Sequence, residues 1–215
     1  MSAPILAESA RREEILSAAR TIFAHYGFRR ASLEEVARET GTSRTALYHH
    51  FRNKEDIFRA TCEGIYGEAT ERARRAANSD ARIDTKLLEV LDALVGSVFR
   101  LLASSRHGLE IVDESNRLCA DITASWMQHS NQLVAGILRD AETRGELDTG
   151  RSGHTPQSAA EFLLLCAHGL QGPTPTRTPS ASQYNERLSD LVRLSVTGLG
   201  GTTTSMEKGK VNNGK

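Results

Sequence analysis

Residues 32–51 have the sequence SLEEVARETGTSRTALYHHF, which carries the signals of two short helices and the turn between them. Ser32 is a favourable N-cap, and Glu35, three residues later, completes a capping box. Gly41 is expected to end this first helix, because glycine adopts the left-handed conformation without a steric penalty. Ser43 then suits the cap of a second helix that follows directly. Two short helices joined by a glycine-containing turn form a helix-turn-helix, in which the second helix enters the major groove of DNA.

The side chains of the second helix suit contact with DNA. Arg44 and Thr45 lie in its first turn, from which side chains reach base edges. Arginine pairs with guanine through two hydrogen bonds, and threonine contacts a thymine methyl group. Tyr48 and His49 follow one turn later, within reach of phosphates. Lys54 begins the next helix, whose N-terminal amides favour an anion, and the sequence from Arg44 to Lys54 contains no acidic residue.

Purely structural roles remain open for several of these residues. Ser32 and Ser43 are also explained as helix caps alone, and Tyr48 as an aromatic residue at the edge of a small core. His49 suits either a base or a phosphate, and its charge at neutral pH is undecided. The positions at which we predict DNA contacts are Ser32, Ser43, Arg44, Thr45, Tyr48, His49 and Lys54.

The spacing of this region resembles that of a known family. The pattern is Gly27-Phe28-x-x-Ala31-Ser32-Leu33-x-x-Val36-Ala37-x-x-x-Gly41-x-Ser43-x-x-x-Leu47-Tyr48-x-x-Phe51-x-x-Lys54-Glu55. It is similar to the TetR (tetracycline repressor-like) family of bacterial transcriptional regulators, and it covers the first quarter to third of the chain. Ser32 stands where the family often has threonine, and Thr42 where it often has valine. Both residues keep the capping group or the β-branched shape.

The composition of the chain is that of a soluble globular protein. Among 215 residues, 39% are hydrophobic and 25% are charged, which is enough to bury a sizeable core. The 27 basic and 27 acidic residues balance, but DNA affinity depends on phosphates neutralised locally rather than on the total charge. The three cysteines show neither zinc spacing nor a disulfide framework, as in a reducing cytoplasm. We find no signal peptide and no membrane span in the sequence, and we predict a cytoplasmic location.

Helical periodicity recurs along the chain and no strand pattern appears, so the predicted fold class is all-α. We expect an N-terminal three-helix DNA-binding domain over 9–69, with its helix-turn-helix at 32–51. A helical-bundle domain for regulation and dimerisation would follow over 80–199, and a disordered tail over 200–215. Residues 1–9 would be a mobile arm, and the proline-rich 172–182 a loop. The other predicted helices cover 10–26, 54–78, 85–104, 108–118, 120–144, 156–170 and 183–199.

The last two predicted helices carry more apolar surface than a small bundle can bury. The helix after Pro156 runs AAEFLLLCAHGL and is apolar almost all round, so we expect it to be buried on most sides. In the family that the sequence resembles, these helices pair with the same two of a second subunit. The resemblance therefore implies a homodimer, although the same residues also suit a monomer core. The expected dimer surface comprises Phe162, Leu163, Cys166, Leu170, Leu188, Leu191, Val192 and Ser195.

The resemblance also implies a small-molecule pocket in the helical-bundle domain. A pocket of this kind needs apolar helices with a few polar groups. The same side chains equally well fill a protein core. The candidate ligand-binding residues are Phe99, Trp126, Met127, Phe162 and His168.

Residues that suit metal binding or catalysis are present but poorly spaced. Cys166 and His168 are two apart on one helix, so they point in nearly opposite directions. Glu110 and Glu114 share a helix face, and acidic groups of this kind are usually solvated. The sequence has no glycine-rich nucleophile turn and no phosphate loop. The possible soft metal ligands are His107, Cys119, His129, Cys166 and His168. We expect that they form no metal site, that the protein has no cofactor and that it is not an enzyme.

These observations favour a homodimeric, ligand-responsive transcriptional repressor that binds an inverted-repeat operator. In the hypothesised mechanism, a small-molecule inducer prefers another arrangement of the regulatory helices and moves the helix over 54–78 like a lever. The spacing of the two recognition helices then no longer matches the operator. Two alternatives stay open: an activator or co-repressor-dependent regulator with the same fold, and a helical-bundle enzyme or small-molecule carrier with no role on DNA.

Overall fold

The computed structural model describes residues 3–172 and 178–202, with side chains from residue 8 onwards. Over these ranges the chain forms α-helices and no strand, which confirms the predicted all-α fold. The helices are α1 (Ala3–Arg30), α2 (Leu33–Glu39), α3 (Arg44–His50), α4 (Lys54–Ala77), α5 (Ile83–Leu91), α6 (Ser97–Ala103), α7 (Gly108–Leu118), α8 (Ala120–Thr143), α9 (Pro156–Gly169) and α10 (Ala181–Gly198).

Two apolar clusters organise these helices. The first lies under the helix-turn-helix and joins α1, α2, α3 and the first half of α4 around Phe23, Leu47 and Phe58. The second fills the bundle formed by α5, α8, α9 and α10, around Leu91, Leu138 and Leu188. The helix α4 contributes to both clusters, through its first half to one and through Ala73 to the other. A displacement of α4 is therefore felt by both clusters.

The structure corrects the predicted boundaries of α1. The helix begins at Ala3, inside the segment predicted to be a mobile arm, and continues to Arg30. Gly27 interrupts it with φ of 78° and ψ of 165°, at the residue where the sequence predicts its end. A Cβ atom at Gly27 would also overlap the carboxylate of Glu110. Glycine is therefore required there by both the backbone and a close approach of α7.

The predicted helix over 85–104 is divided in the structure. Its first part is α5 and its last part is α6, and a π-helical segment, Asp92–Gly96, lies between them. Arg100 of α6 reaches back to the start of this segment, where its guanidinium donates to both carboxylate oxygens of Asp92 at 2.7 and 2.8 Å. Apolar periodicity does not distinguish a π-bulge from a continuous α-helix, so the sequence could not reveal this division.

Two segments that connect the longer helices contain additional helical structure. The segment after Asp148 forms a 3₁₀ turn, Thr149–Ser152, in which Thr149 is buried and donates to the carboxylate of Glu142. In the proline-rich loop predicted for 172–182, helix α10 already begins at Ala181. Residues 173–177 and the predicted tail from 203 to 215 lie outside the described residues.

Helix α9 is less enclosed than its sequence suggests. Its Leu163 and Leu164 are buried, but Phe162 and Leu165 on the opposite side are 53% and 70% exposed. The expectation that α9 is buried on most sides is therefore wrong for the single chain. The bundle covers one face of the helix, and the other face remains available to a partner.

Candidate nucleic-acid interface

The helix-turn-helix is held by local hydrogen bonds of the predicted kind. Ser32 Oγ accepts from the amide of Glu35 at 3.2 Å, and Glu35 Oε2 accepts from the amide of Ser32 at 2.8 Å. These two bonds complete the capping box at the start of α2. Gly41 has a φ of 60°, as the end of α2 requires. Ser43 Oγ then accepts from the amide of Ala46 at 3.1 Å and caps α3.

Helix α3 lies with one face buried and the other face free. Leu47 is 1% exposed and packs in the first apolar cluster. On the opposite side, Arg44, Thr45 and His49 are exposed, and Tyr48 is 43% exposed. The predicted DNA-contacting side chains of α3 thus occupy one accessible surface. A second helix with a free polar face above a buried leucine is the arrangement that a major groove accepts.

Arg44 is held in place by two neighbours before any DNA is bound. Its guanidinium forms an ion pair with Glu34 at 2.5 Å and donates to the Tyr48 hydroxyl at 3.4 Å. The hydrogen bond to Tyr48 and then the charge of Glu34 raise the pKa of Arg44. Glu34 lies on α2, so the sequence of α3 alone could not identify it as a partner of the recognition helix.

Lys54 has a structural role that sequence reasoning missed. Its Nζ donates to the carbonyl oxygens of Phe28, Arg29 and Ala31 at 2.8, 3.2 and 3.0 Å. These carbonyls end α1, and a lysine charge at the C-terminal end of a helix is favourable. All three donor positions of the ammonium group are engaged in this way. A phosphate contact by Lys54 would have to share or replace these bonds.

The start of the fourth helix is also partly occupied. Asn53 Oδ1 caps α4 by accepting from the amide of Asp56 at 2.8 Å. The carboxylate of Asp56 accepts in turn from the amide of Arg52 at 3.0 Å. One of the N-terminal amides of α4 that were predicted to favour an anion, that of Asp56, is therefore already paired.

An arginine of α1 braces the turn between α2 and α3. Arg11 donates to the carbonyl oxygen of Thr40 at 2.9 Å and also to Thr42 Oγ1. Its other terminal nitrogen donates to Glu14 at 2.6 Å. The brace joins residues about thirty positions apart, so no local pattern in the sequence indicates it. It fixes the turn that orients α3.

Helix α7 ties the helix-turn-helix region to the bundle through charged groups. Arg29 lies at the end of α1, and its amide donates a hydrogen bond to the carboxylate of Glu110 at 2.7 Å. Glu114 is paired with Arg29 at 3.4 Å and with Arg117 at 2.8 Å. The hydrogen bond from Arg117, followed by that from Arg29, lowers the pKa of Glu114. The expectation that Glu110 and Glu114 are solvated is wrong, because Glu114 is buried and both bind α1.

Helix α4 is pinned to the start of α8 at two points. Arg59 forms a two-bond ion pair with Asp121, both bonds at 2.8 Å, and also donates to the Leu118 carbonyl. Two turns further along α4, the Tyr66 hydroxyl lies 3.2 Å from Thr123 Oγ1. The pairing with Arg59 holds the pKa of Asp121 well below its usual range.

A groove of about 410 Å³ opens between α4 and α8 beside these contacts. Trp126 forms part of its wall and stacks on Tyr66, with ring centroids 4.3 Å apart and an interplanar angle of 5°. Trp126 is 8% exposed, and its Nε1 finds no hydrogen-bond partner among the described residues. The lining combines this aromatic pair with polar groups: Glu63, Tyr66, Gly67, Thr70, Asp121, Ile122, Ser125, Trp126 and His129.

The structure brings only one of the five predicted ligand-binding residues into this groove, namely Trp126. The ring centroid of His168 lies 6.3 Å from that of Trp126 in a T-shaped arrangement, and burial lowers the pKa of His168. Phe99 is buried in the bundle, where it stacks on Tyr184 at 4.6 Å. Met127 and Phe162 point outward and are 44% and 53% exposed. These five side chains therefore do not line a common cavity.

The predicted dimer residues divide into two groups. Leu163, Leu188 and Val192 are at most 2% exposed and belong to the core of the single chain. A buried side chain contributes nothing directly to a contact between subunits, so these three are removed from the candidate surface. The remaining predicted residues are exposed or half-buried on α9 and α10: Phe162, Cys166, Leu170, Leu191 and Ser195.

Two exposed leucines extend this second group, and sequence reasoning missed them. Leu165 and Leu194 are each 70% exposed. Together with Phe162 and Cys166 on α9, and Leu191 and Ser195 on α10, they follow helical spacing of three and four residues. The helical-wheel position of these leucines, rather than hydrophobicity alone, would have indicated them.

The residues considered as metal ligands are not gathered into a site. In residues 3–172 and 178–202, no group of three or more His, Cys, Asp or Glu side chains is placed to hold a metal ion. Cys119 lies in the first apolar cluster, whereas Cys166 and His168 lie on α9. Within the same ranges, no helix combines the length and the hydropathy needed to cross a membrane.

The fold and the exposed α3 define a class of protein, the helix-turn-helix DNA-binding regulators. Comparison with known proteins identifies the family. The family described as "Bacterial regulatory proteins, tetR family" matches residues 15–61. The HTH-type transcriptional repressor AcnR of Corynebacterium diphtheriae is 44% identical over 195 residues, which cover 87% of this chain and 92% of that protein. BepR of Brucella suis, also an HTH-type transcriptional repressor, is 30% identical over 169 residues, with coverage of 74% and 78%.

A solved structure shows the same fold over most of its length. The transcriptional regulator from Cytophaga hutchinsonii matches with a TM-score of 0.71 at 21% identity, covering 86% of this chain and 96% of that one. The chain belongs to the TetR family of bacterial transcriptional regulators. The members of this family are DNA-binding regulators and not enzymes.

Proposed function

We propose that this regulator is a repressor that binds an inverted-repeat operator as a homodimer and is released by a small-molecule inducer. The single observation that carries the proposal is that α3 exposes one face to solvent while its other face packs in the apolar cluster to which α4 also contributes. The residues proposed to read DNA are Arg44, Thr45, Tyr48 and His49, and those proposed to orient the motif are Ser32, Ser43 and Lys54.

Charge around α3 supports binding to DNA. Arg44 and Arg52 are exposed, and no acidic residue lies between them in the sequence. Glu34 partly neutralises Arg44 in the free protein. On DNA, the guanidinium would exchange this carboxylate for a guanine edge, which offers two acceptors. Neutralised phosphates release counterions, so binding would weaken steeply as salt increases.

The exposed apolar face of α9 and α10 supports the homodimer. We propose that Phe162, Leu165 and Leu194 meet the same surface of a second subunit across a two-fold axis, because a C2 interface uses one patch twice. Cys166, Leu170, Leu191 and Ser195 would lie around them. Two copies of α3 related by this axis would read two half-sites one helical turn apart.

The groove between α4 and α8 is the proposed inducer site. The stacked pair of Tyr66 and Trp126 offers an apolar wall, and Trp126 Nε1 offers a donor that no described residue uses. Glu63 and His129 supply polar groups at the same groove. A compound with an aromatic ring and a hydrogen-bond acceptor fits this set of groups.

Helix α4 connects the two proposed sites. Its first half packs under α3, and the same helix forms a wall of the groove. An inducer that prefers a wider groove would strain the contacts of Arg59 and Tyr66 with α8 and shift α4. The change in operator affinity can be no larger than the difference in inducer affinity between the two arrangements.

Selection from random DNA duplexes tests the proposal without knowledge of the target genes. We expect an inverted repeat with a fixed spacer, bound by a dimer. Trp126 is the only tryptophan in the chain, so its fluorescence reports directly on compounds that enter the groove. A compound that quenches this fluorescence should release the selected DNA. Sequences with a single half-site, or compounds that tighten DNA binding, would contradict the homodimeric, inducer-released repressor.

A further inference from the structure

Two of the three cysteines face each other where the regulatory helices meet α4. Cys62 lies on α4, and Cys119 is the single residue between α7 and α8. Both belong to the first apolar cluster, and they are 8% and 0% exposed. The interaction between the two thiols is the largest cause of the pKa shift of each. The two side chains therefore lie next to each other at a junction between helices.

Contacts one turn before and one turn after Cys62 hold α4 against the start of α8. Arg59, one turn before Cys62, binds Asp121 and the Leu118 carbonyl, which flank Cys119. Tyr66, one turn after Cys62, binds Thr123. Residues three and four apart share a helix face, so Cys62 is held between two fixed points. This placement keeps the sulfur atoms opposite each other as long as α4 rests on α8.

The surroundings of the two sulfur atoms are unequal. Cys119 is both the C-cap residue of α7 and the N-cap residue of α8, so the dipoles of the two helices act on its sulfur in opposite senses. The hydrogen bond from Cys62, with a smaller contribution from the charge of Arg59, lowers the pKa of Cys119 despite its burial. The same hydrogen bond, together with burial, raises the pKa of the Cys62 thiol. One sulfur is therefore suited to attack and the other to resolve the product.

We propose that Cys62 and Cys119 form a reversible intramolecular disulfide, a modification site through which a hydroperoxide acts on this regulator. The Cys119 thiolate attacks one peroxide oxygen, the O–O bond breaks, and the hydroxide released takes up the proton that Cys119 had lost. The Cys62 sulfur then attacks the sulfenic sulfur of Cys119. The S–O bond breaks, and the leaving hydroxide takes the Cys62 proton to form water. Two thiols and one hydrogen peroxide thus give one disulfide and two waters.

The disulfide would fasten α4 to the junction between α7 and α8. This consequence rests on the proposed function, in which α4 sets the separation of the two recognition helices. When α4 is fastened, the two recognition helices can adopt fewer distances from each other. The oxidised dimer would therefore bind operators with a narrower range of spacer lengths than the reduced dimer. Peroxide would then act as a second input that opposes the motion proposed for the inducer.

Thiol counting on the full-length protein tests the modification. After treatment with hydrogen peroxide, we expect two of the three thiols to be lost, peptide mapping to join Cys62 to Cys119, and dithiothreitol to restore both. The variant Cys166→Ser should show the same crosslink. In Cys62→Ser, the Cys119 sulfenic acid should persist and react with dimedone that is added as the protein is unfolded, because Cys119 is buried in the fold. Three surviving thiols, oxidation of Cys119 to sulfinic acid without a crosslink, or a crosslink through Cys166 would overturn the proposal.

Binding to inverted repeats with different spacers tests the consequence. We expect the oxidised wild type to bind a narrower range of spacers than the reduced protein, whereas oxidised and reduced Cys62→Ser should have the same range. Equal ranges for oxidised and reduced wild type would refute the effect on α4. If the reduced protein bound no duplex at all, the proposed function would fail, while the thiol mapping would still decide whether the disulfide forms.

Discussion

The helix-turn-helix and the groove between α4 and α8 are built from different kinds of contact. In Ser32–Phe51, the capping bonds of Ser32 and Ser43 each span three residues. At the groove, Arg59 meets Asp121 and Tyr66 meets Thr123, which are 62 and 57 positions apart. A motif made from neighbours along the chain leaves its signature in the sequence. A groove made from distant residues leaves none, because its walls meet only in the folded bundle.

The first prediction concerns the buried face of α3, which packs in the first apolar cluster. Leu47→Ala leaves a cavity in the first apolar cluster, because Leu47 is 1% exposed. We expect a loss of about 2–5 kcal/mol in the free energy of unfolding of this region, measured by urea denaturation. The matched control is Tyr48→Ala on the same helix, which should change unfolding by less than about 0.5 kcal/mol because its side chain is exposed. Equal destabilisation by the two changes would contradict the assigned faces of α3.

The second prediction concerns the exposed face of the bundle. The double change Leu165→Glu and Leu194→Glu places charges at the proposed centre of the dimer surface, where burial of an unpaired charge is costly. We expect monomers in sedimentation experiments and a loss of operator affinity of at least about tenfold. Leu109→Glu, at a leucine of α7 that is 58% exposed, should leave the dimer intact. A double variant that remains dimeric would show that the subunits associate elsewhere.

The third prediction separates orientation from contact within the DNA-reading region. Lys54→Ala removes the ammonium group that caps the end of α1. Because bonds from a charged donor are lost, we expect destabilisation by about 1–3 kcal/mol. Circular dichroism during thermal unfolding measures this loss, and Arg52→Ala, at an exposed cation two residues earlier, serves as the control. An unchanged stability in Lys54→Ala would favour the phosphate contact predicted from the sequence.

The contacts described above also show which structural features can be predicted from the sequence and which cannot. Ser32, Gly41 and Ser43 were interpretable because caps and turns depend on residue types at fixed short spacings. The roles of Glu34 toward Arg44, and of Lys54 toward α1, were hidden because each joins different helices. Leu163 looked equivalent to Phe162 in sequence, yet one is buried and the other exposed. Hydrophobicity identifies apolar residues, but the packing of the bundle decides which of them remain at the surface.

The fourth prediction concerns the ion pair between Arg44 and Glu34. Glu34→Gln removes the carboxylate that competes with DNA for the guanidinium. We expect operator affinity to increase by about two- to fivefold, since exposed ion pairs are weak. Fluorescence anisotropy at low and moderate salt would measure the change, and Glu39→Gln, at an exposed acid at the end of α2, is the control. A decrease in affinity would mean that Glu34 positions Arg44 for DNA rather than withholding it.

The proposed function requires that the exposed face of α3 binds DNA. The most direct measurement is a titration of the selected operator across a salt series, for wild type and Tyr48→Ala. We expect the logarithm of the wild-type affinity to fall steeply and linearly with the logarithm of the salt concentration, and Tyr48→Ala to bind at least about tenfold more weakly while remaining folded. Equal affinities for wild type and Tyr48→Ala, or binding that is indifferent to salt, would contradict it.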